Sequence, residues 1–135
     1  MYRVNVIAAA VTMQESLRRF PPAGGTIINI GSTSGYLVSE LEAGVYASTK
    51  FALRGLTNSV QNELRATGNR TRICLLSPGR LRTRLFAENK QGVPNAIEKD
   101  YLEVSAIASV VGMIVHSPHG ADIDEIIIRS GKQHL

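Results

Sequence analysis

This sequence predicts an α/β protein: a parallel sheet of about three strands with three main helices. Three observations predict it. Short β-branched apolar runs alternate with longer amphipathic stretches, which implies parallel strands joined by helical crossovers. The strand-like runs are near-continuously apolar, as strands covered on both faces are. The first two of these runs end in a glycine or proline loop, so their C-terminal ends fall at one edge, where open α/β sheets bind ligands.

In chain order, residues 4–20 read as an amphipathic helix, ended by Pro21-Pro22 and Gly24-Gly25. Thr26–Ile30 is a β-branched strand, followed by the loop Gly31-Ser32-Thr33-Ser34-Gly35. A hydrolase elbow, G-x-S-x-G, needs serine in the middle of such a loop; Thr33 stands there, which excludes that chemistry. Residues 43–66 form the strongest helix. Ala52, Leu56, Val60 and Leu64 make a stripe for the sheet, and Tyr46, Lys50, Leu53 and Thr57 line a neighbouring one. Gly55, inside that helix, predicts close approach of another backbone. Residues 72–77 are a second strand, stopped by Pro78-Gly79. Residues 80–101 are polar and irregular and predict a loop or short helices. Residues 105–116 form a third helix with Ile107, Val110, Val111 and Ile114 inward, and residues 124–129 a third strand.

At 135 residues the chain is the size of one domain. Its net charge of +4 is dispersed; the densest basic run is Arg80, Arg82 and Arg84, and there is no tryptophan to stack on bases, which argues against a nucleic-acid partner. The single cysteine, Cys74, lies in an apolar run and has no internal disulfide partner, so a reducing, cytoplasmic setting is expected. No apolar run is long enough to span a bilayer, and the N-terminal residues lack a convincing cleavage site. Asn69-Arg70-Thr71 matches a glycosylation sequon that this setting leaves unused. His116 and His119 flank Pro118, which breaks the helical spacing that two metal ligands would need, and no third ligand is evident; no metal is expected.

The chemistry is concentrated at Tyr46-Ala47-Ser48-Thr49-Lys50. Tyrosine and lysine four apart on a helix sit one turn apart on one face. An ammonium beside a phenol favours the phenolate and brings its pKa toward values useful for proton transfer. Ser32, at a strand end a short loop upstream, places a hydroxyl at the same edge.

The order Asn5, then the Ile-Ile-Asn-Ile-Gly-Ser run ending at Ser32, then Tyr46-x-x-x-Lys50, then Ser77-Pro78-Gly79-x-x-x-Thr83 resembles the compact, single-domain branch of the short-chain dehydrogenase/reductase family. Ser32 lies fourteen residues before Tyr46, as the family requires, and the tail from Ala121 through Glu125 to Arg129 looks like its last strand. The resemblance implies the C-terminal portion of a Rossmann-like doubly wound sheet. It implies NAD(P)-dependent interconversion of a carbonyl and an alcohol by hydride transfer, with a small carbonyl or hydroxy substrate. Tyr46 would be the acid or base, Lys50 its tuner and a ribose ligand, Ser32 a donor to the substrate oxygen, and Asn5 the anchor of a water relay. Pro78 and Gly79 would bend over the nicotinamide, and Thr83 would contact its carboxamide or the pyrophosphate.

The family's first half, with its glycine-rich turn and its determinants of NAD or NADP choice, has no counterpart in these residues; no G-x-x-x-G-x-G occurs. Two expectations follow: Thr26–Ile30 lacks one neighbour and presents an open edge, and the chain alone binds a dinucleotide poorly. The resemblance also implies association with a second copy or with full-length relatives. The alternative to a truncated enzyme is a non-catalytic remnant acting as an interaction or oligomerisation module.

Overall fold

The computed structural model describes residues 1–37, 44–83, 101–118 and 120–131. The expected architecture is present: a three-stranded parallel sheet with helices on both faces. Strands β1 (Thr26–Ile30), β2 (Arg72–Pro78) and β3 (Glu125–Ile128) lie in the order β1-β2-β3. Thr26 pairs with Arg72 and Ile30 with Leu76; Leu75 pairs with Glu125 and Pro78 with Ile128. Helices α1 (Ala8–Arg19) and α2 (Gly44–Ala66) cover one face, where Met13, Leu64 and Ile73 form a core with Leu17, Ile27, Leu56 and Val60 packed around it. Helix α3 (Val104–Val115) covers the other, with Ile114 against Cys74 and Leu76, and Ile107, Val110 and Val111 alongside. Leu75 and Leu76 are fully buried, and each such side chain contributes about 1.5–3 kcal/mol.

Four sequence-based expectations need correction. The first helix does not run as one regular α-helix: Arg3–Ile7 is a π-helical turn, and the α-helix begins at Ala8. The turn sits where Asn5 reaches across to α2, its side-chain amide donating to Thr49 Oγ1 (3.0 Å). Strand β1 is not covered on both faces along its length, because Ile30 is 47% exposed. The stripe of α2 that meets the sheet is not Ala52, Leu56, Val60 and Leu64. Leu53, Thr57, Gln61 and Leu64 are the buried positions, while Leu56 and Val60 turn toward α1 and line a groove with Val11, Met13 and Leu17. Polar residues hid the true stripe. Thr57 donates to the Leu53 carbonyl and accepts from Asn29 (2.9 Å), and Gln61 donates to the carbonyls of Ile73 (2.7 Å) and Asp124 (3.0 Å), so buried polar atoms are satisfied on an otherwise apolar face. Gly55, finally, is exposed, with open space where a Cβ would stand.

Of the irregular segment, residues 84–100 lie outside the described residues; its flanks are joined by a bridge between Leu81 and Leu102. His119 lies outside them too. No helix among the described residues is long and apolar enough to cross a membrane.

Candidate active site at the strand ends

Chain direction alone brings Ser32 and Tyr46 to one edge: Ser32 follows the last residue of β1 by two positions, and Tyr46 lies in the first turn of the helix that returns over the sheet. Contacts tie them more closely. Lys50 Nζ donates to the Ile30 carbonyl at the end of β1 (2.9 Å) and lies 5.6 Å from the centre of the Tyr46 ring. Burial pushes the Lys50 ammonium below its ordinary pKa, since desolvation disfavours the charged form. Tyr46 is 37% exposed, so the residue is accessible at the rim.

The loop after β1 packs directly on this turn of α2. A Cβ at Gly35 would come within 3.0 Å of the Lys50 carbonyl oxygen, so glycine here permits the approach of two backbones. Ser32 caps the short 3-10 turn Thr33–Gly35, its Oγ accepting from the Ser34 amide (3.2 Å). That bond uses a lone pair and leaves the hydroxyl proton available for donation. At the other end of the same loop, a Cβ at Gly31 would overlap the Ser77 hydroxyl.

Asn5 reaches the site through Thr49: Asn5 Nδ2 donates to Thr49 Oγ1, which donates to the Tyr46 carbonyl (2.7 Å). Asn5, Tyr46 and Lys50 are thus joined through this stretch of α2, and Lys50 reaches the end of the strand that leads into Ser32. Of the cofactor candidates, Pro78 ends β2 buried, and the Gly79 amide donates to the Ile128 carbonyl (2.7 Å), continuing the ladder to the sheet rim. Thr83 is partly buried, just past the Leu81–Leu102 bridge. Two grooves on the described surface lie away from this edge, one between α1 and α2 and one around Arg70 and Arg72 at the opposite end of the strands.

Sequence reasoning passed over a second polar cluster beside the first. The Tyr36 phenol donates to the Glu125 carboxylate and stands 3.3 Å from Ser77 Oγ, while the Arg54 guanidinium lies over its ring at 4.1 Å and pairs with Glu125 at 3.1 Å. Burial first, and the acceptor carboxylate second, push the Tyr36 phenol up to about 12. Nothing in the spacing of these four residues announces a cluster; they are distant in sequence and meet only when β3 docks beside β2.

Comparison with known proteins places this geometry. The family model described as short chain dehydrogenase matches residues 1–94. An uncharacterised oxidoreductase of Staphylococcus saprophyticus is 32% identical over 116 residues, which cover 82% of this chain and 46% of that protein. Human dehydrogenase/reductase SDR family member 11 is 29% identical over 98% of the chain and 55% of its own length. The structure of an alcohol dehydrogenase from the archaeon Thermococcus sibiricus, complexed with 5-hydroxy-NADP, superimposes with a TM-score of 0.78 at 30% identity, over all of this chain and 54% of that one. The closed form of serine dehydrogenase complexed with NADP+ has a TM-score of 0.81 at 19% identity, a likeness of fold. The chain thus spans about half the length of the proteins it matches. On the family-model match over residues 1–94, the chain belongs to the short-chain dehydrogenase family.

Proposed function

We propose that this chain carries the catalytic, nicotinamide-end half of an NAD(P)-dependent oxidoreductase that interconverts a small carbonyl compound and its alcohol. The observation that carries the reading is the Lys50 amine, partly desolvated, placed between the Tyr46 ring and the end of the strand that leads to Ser32. The donor set fits the nicotinamide end of a dinucleotide: an amine for ribose hydroxyls, an exposed phenol, the Pro78-Gly79 rim and the Thr83 hydroxyl. Bound there, the dinucleotide supplies or accepts a hydride. The chain's own residues handle the proton and the substrate oxygen. Tyr46 gives the proton in reduction and takes it in oxidation, Ser32 donates to the substrate oxygen, and Lys50 holds the phenol and the ribose in register. Asn5, through Thr49, fixes the backbone of the Tyr46 turn and stands where a water chain behind Lys50 would be anchored. The buried thiol of Cys74 fits a reducing, cytoplasmic setting.

The test is Tyr46→Phe. In a form that also carries the dinucleotide-binding half, it lowers NAD(P)H-dependent carbonyl turnover by about 10²-fold or more while leaving dinucleotide affinity nearly unchanged, the loss of one acid–base group; undiminished turnover removes Tyr46 from its role. Fluorescence titration with NADPH and NADH is the companion measurement, with binding weaker than micromolar expected for these 135 residues.

A second reading has its own observation. Val4, Ile7 and Val11 are exposed along the first helix, and Val45 and Phe51 along α2. Apolar positions at that spacing suit association with another copy or with a full-length relative, and the chain then serves as an interaction module. Micromolar self-association without turnover on a panel of aldehydes and ketones supports this reading over the enzymatic one.

A further inference from the structure

Tyr36 follows Ser32 by four residues and closes the 3-10 turn that Ser32 opens. Its phenol crosses over β2 to the first residue of β3, Glu125, and its ring is covered by Arg54, one helical turn beyond Lys50 on α2. Arg54 closes the circuit by pairing with Glu125. Ser77, fully buried on β2, meets both ends of the loop: its hydroxyl fills the space that a side chain at Gly31 would take, and it lies beside the Tyr36 oxygen. Between these ends Gly35 rests on the Lys50 backbone. Loop, helix and last strand are thus tied together one turn away from the candidate reacting groups.

We propose that Tyr36, Arg54 and Glu125 are positioning residues, a clamp that seats the Ser32 turn on α2 and so sets where the Ser32 hydroxyl lies relative to Tyr46. The clamp touches neither the substrate nor the cofactor. It acts through the turn, and its catalytic consequence rests on the reading of Ser32 and Tyr46 given above. The physical reason for three partners is the aromatic ring. A carboxylate alone holds the phenol oxygen at one point, whereas a cation over the face also fixes the ring plane, and with it the backbone of residues 33–36.

The Ser34 amide reports directly on the clamp, because it donates to Ser32 Oγ. Amide exchange is measured on the whole chain for wild type, Tyr36→Phe, Glu125→Gln and the double variant. Each single variant is expected to speed exchange at Ser34 and its neighbours in the turn by about tenfold, the size of one lost charge-assisted hydrogen bond, while the β2 amides of Ile73 to Leu76 keep their protection. The double variant is expected to add little to either single one, because both break the same contact. Unchanged exchange at Ser34, or acceleration spread equally through β2, overturns the clamp. Glu125→Gln keeps the volume and removes the charge on which the Tyr36 bond and the Arg54 pair both depend, so the test survives if Tyr36→Phe folds poorly.

A kinetic arm separates this proposal from the one beneath it. With NADPH and a carbonyl substrate, Tyr36→Phe lowers kcat and leaves the KM for NADPH in place; an unmoved kcat overturns the positioning role. Tyr46→Phe loses turnover with Ser34 exchange unmoved. Where the wild-type chain shows no turnover, the exchange data alone decide whether the clamp holds the turn.

Discussion

Tyr36 and Tyr46 are two phenols near two cations, and their neighbours give them different work. Tyr36 is boxed by Arg54, Glu125 and Ser77 and stays a neutral donor, its pKa raised from 10.0 to about 12 by burial and by the carboxylate it bonds. Tyr46 faces outward beside an amine. The shift at Tyr36 has a signed consequence for stability. The fold binds the phenolic proton more tightly than the unfolded chain does, so this stabilisation is complete below 10.0 and is lost as pH rises through about 12. Urea midpoints measured across that window are expected to fall more steeply for wild type than for Tyr36→Phe; equal slopes remove the phenol as the cause. Cys74, whose buried thiol is pushed up to about 11, titrates in part of the same window in both proteins and cancels in the comparison.

At the scale of elements, the informative one is α2. Its order of residues reads as a helix without ambiguity, and the Tyr46–Lys50 face was legible because a helical turn is a fixed distance. Which stripe met the sheet was not legible. Apolarity singles out Leu56 and Val60, but the sheet takes Thr57 and Gln61, because buried carbonyls and amides ask for partners that hydrophobicity does not reveal. Gln61 illustrates the point. Strand β3 begins opposite Leu75, so the Ile73 carbonyl of β2 has no β3 residue beside it, and the Gln61 amide takes the place of the missing strand. Gln61→Leu is expected to destabilise the chain by about 1–3 kcal/mol, the penalty for a buried acceptor left without its donor. A lower urea midpoint at unchanged slope is the signature; an unchanged midpoint denies Gln61 this role. The π-helical turn around Asn5 was equally hidden, since it arises from a reach across to Thr49 and not from local propensity.

For the whole molecule, alternation of strand and helix was enough to read a parallel sheet and the edge at which Ser32, Tyr46 and Pro78 gather, because connection geometry leaves few alternatives. The Tyr36–Arg54–Glu125 circuit was beyond the sequence, since it depends on the offset with which β3 docks on β2. Strand β1 is the outer strand of the described sheet. The Arg72 amide bonds to the Gly25 carbonyl and the Gly31 amide to the Leu76 carbonyl, so the peptide groups of Thr26, Ile28 and Ile30 face away from β2. Those outward groups are available to a further strand, whether of the same protein or of another chain. Ile30→Lys, which puts a charge on the exposed end of that edge, is expected to lower self-association at high protein concentration in sedimentation experiments. Association that persists unchanged runs through the α1–α2 face instead.

The Lys50 amine on the Ile30 carbonyl has a practical side. Among the described residues, the outward peptide oxygen at the rim end of β1 is capped by the same group that is proposed for the ribose, so a ligand that draws the amine away also uncovers that oxygen. Replacing Lys50 by alanine therefore mixes two losses, chemical and colloidal, and a dead Lys50→Ala preparation proves little until its aggregation state is known. Arginine at that position, still cationic and long enough to reach the oxygen, is the control that separates them.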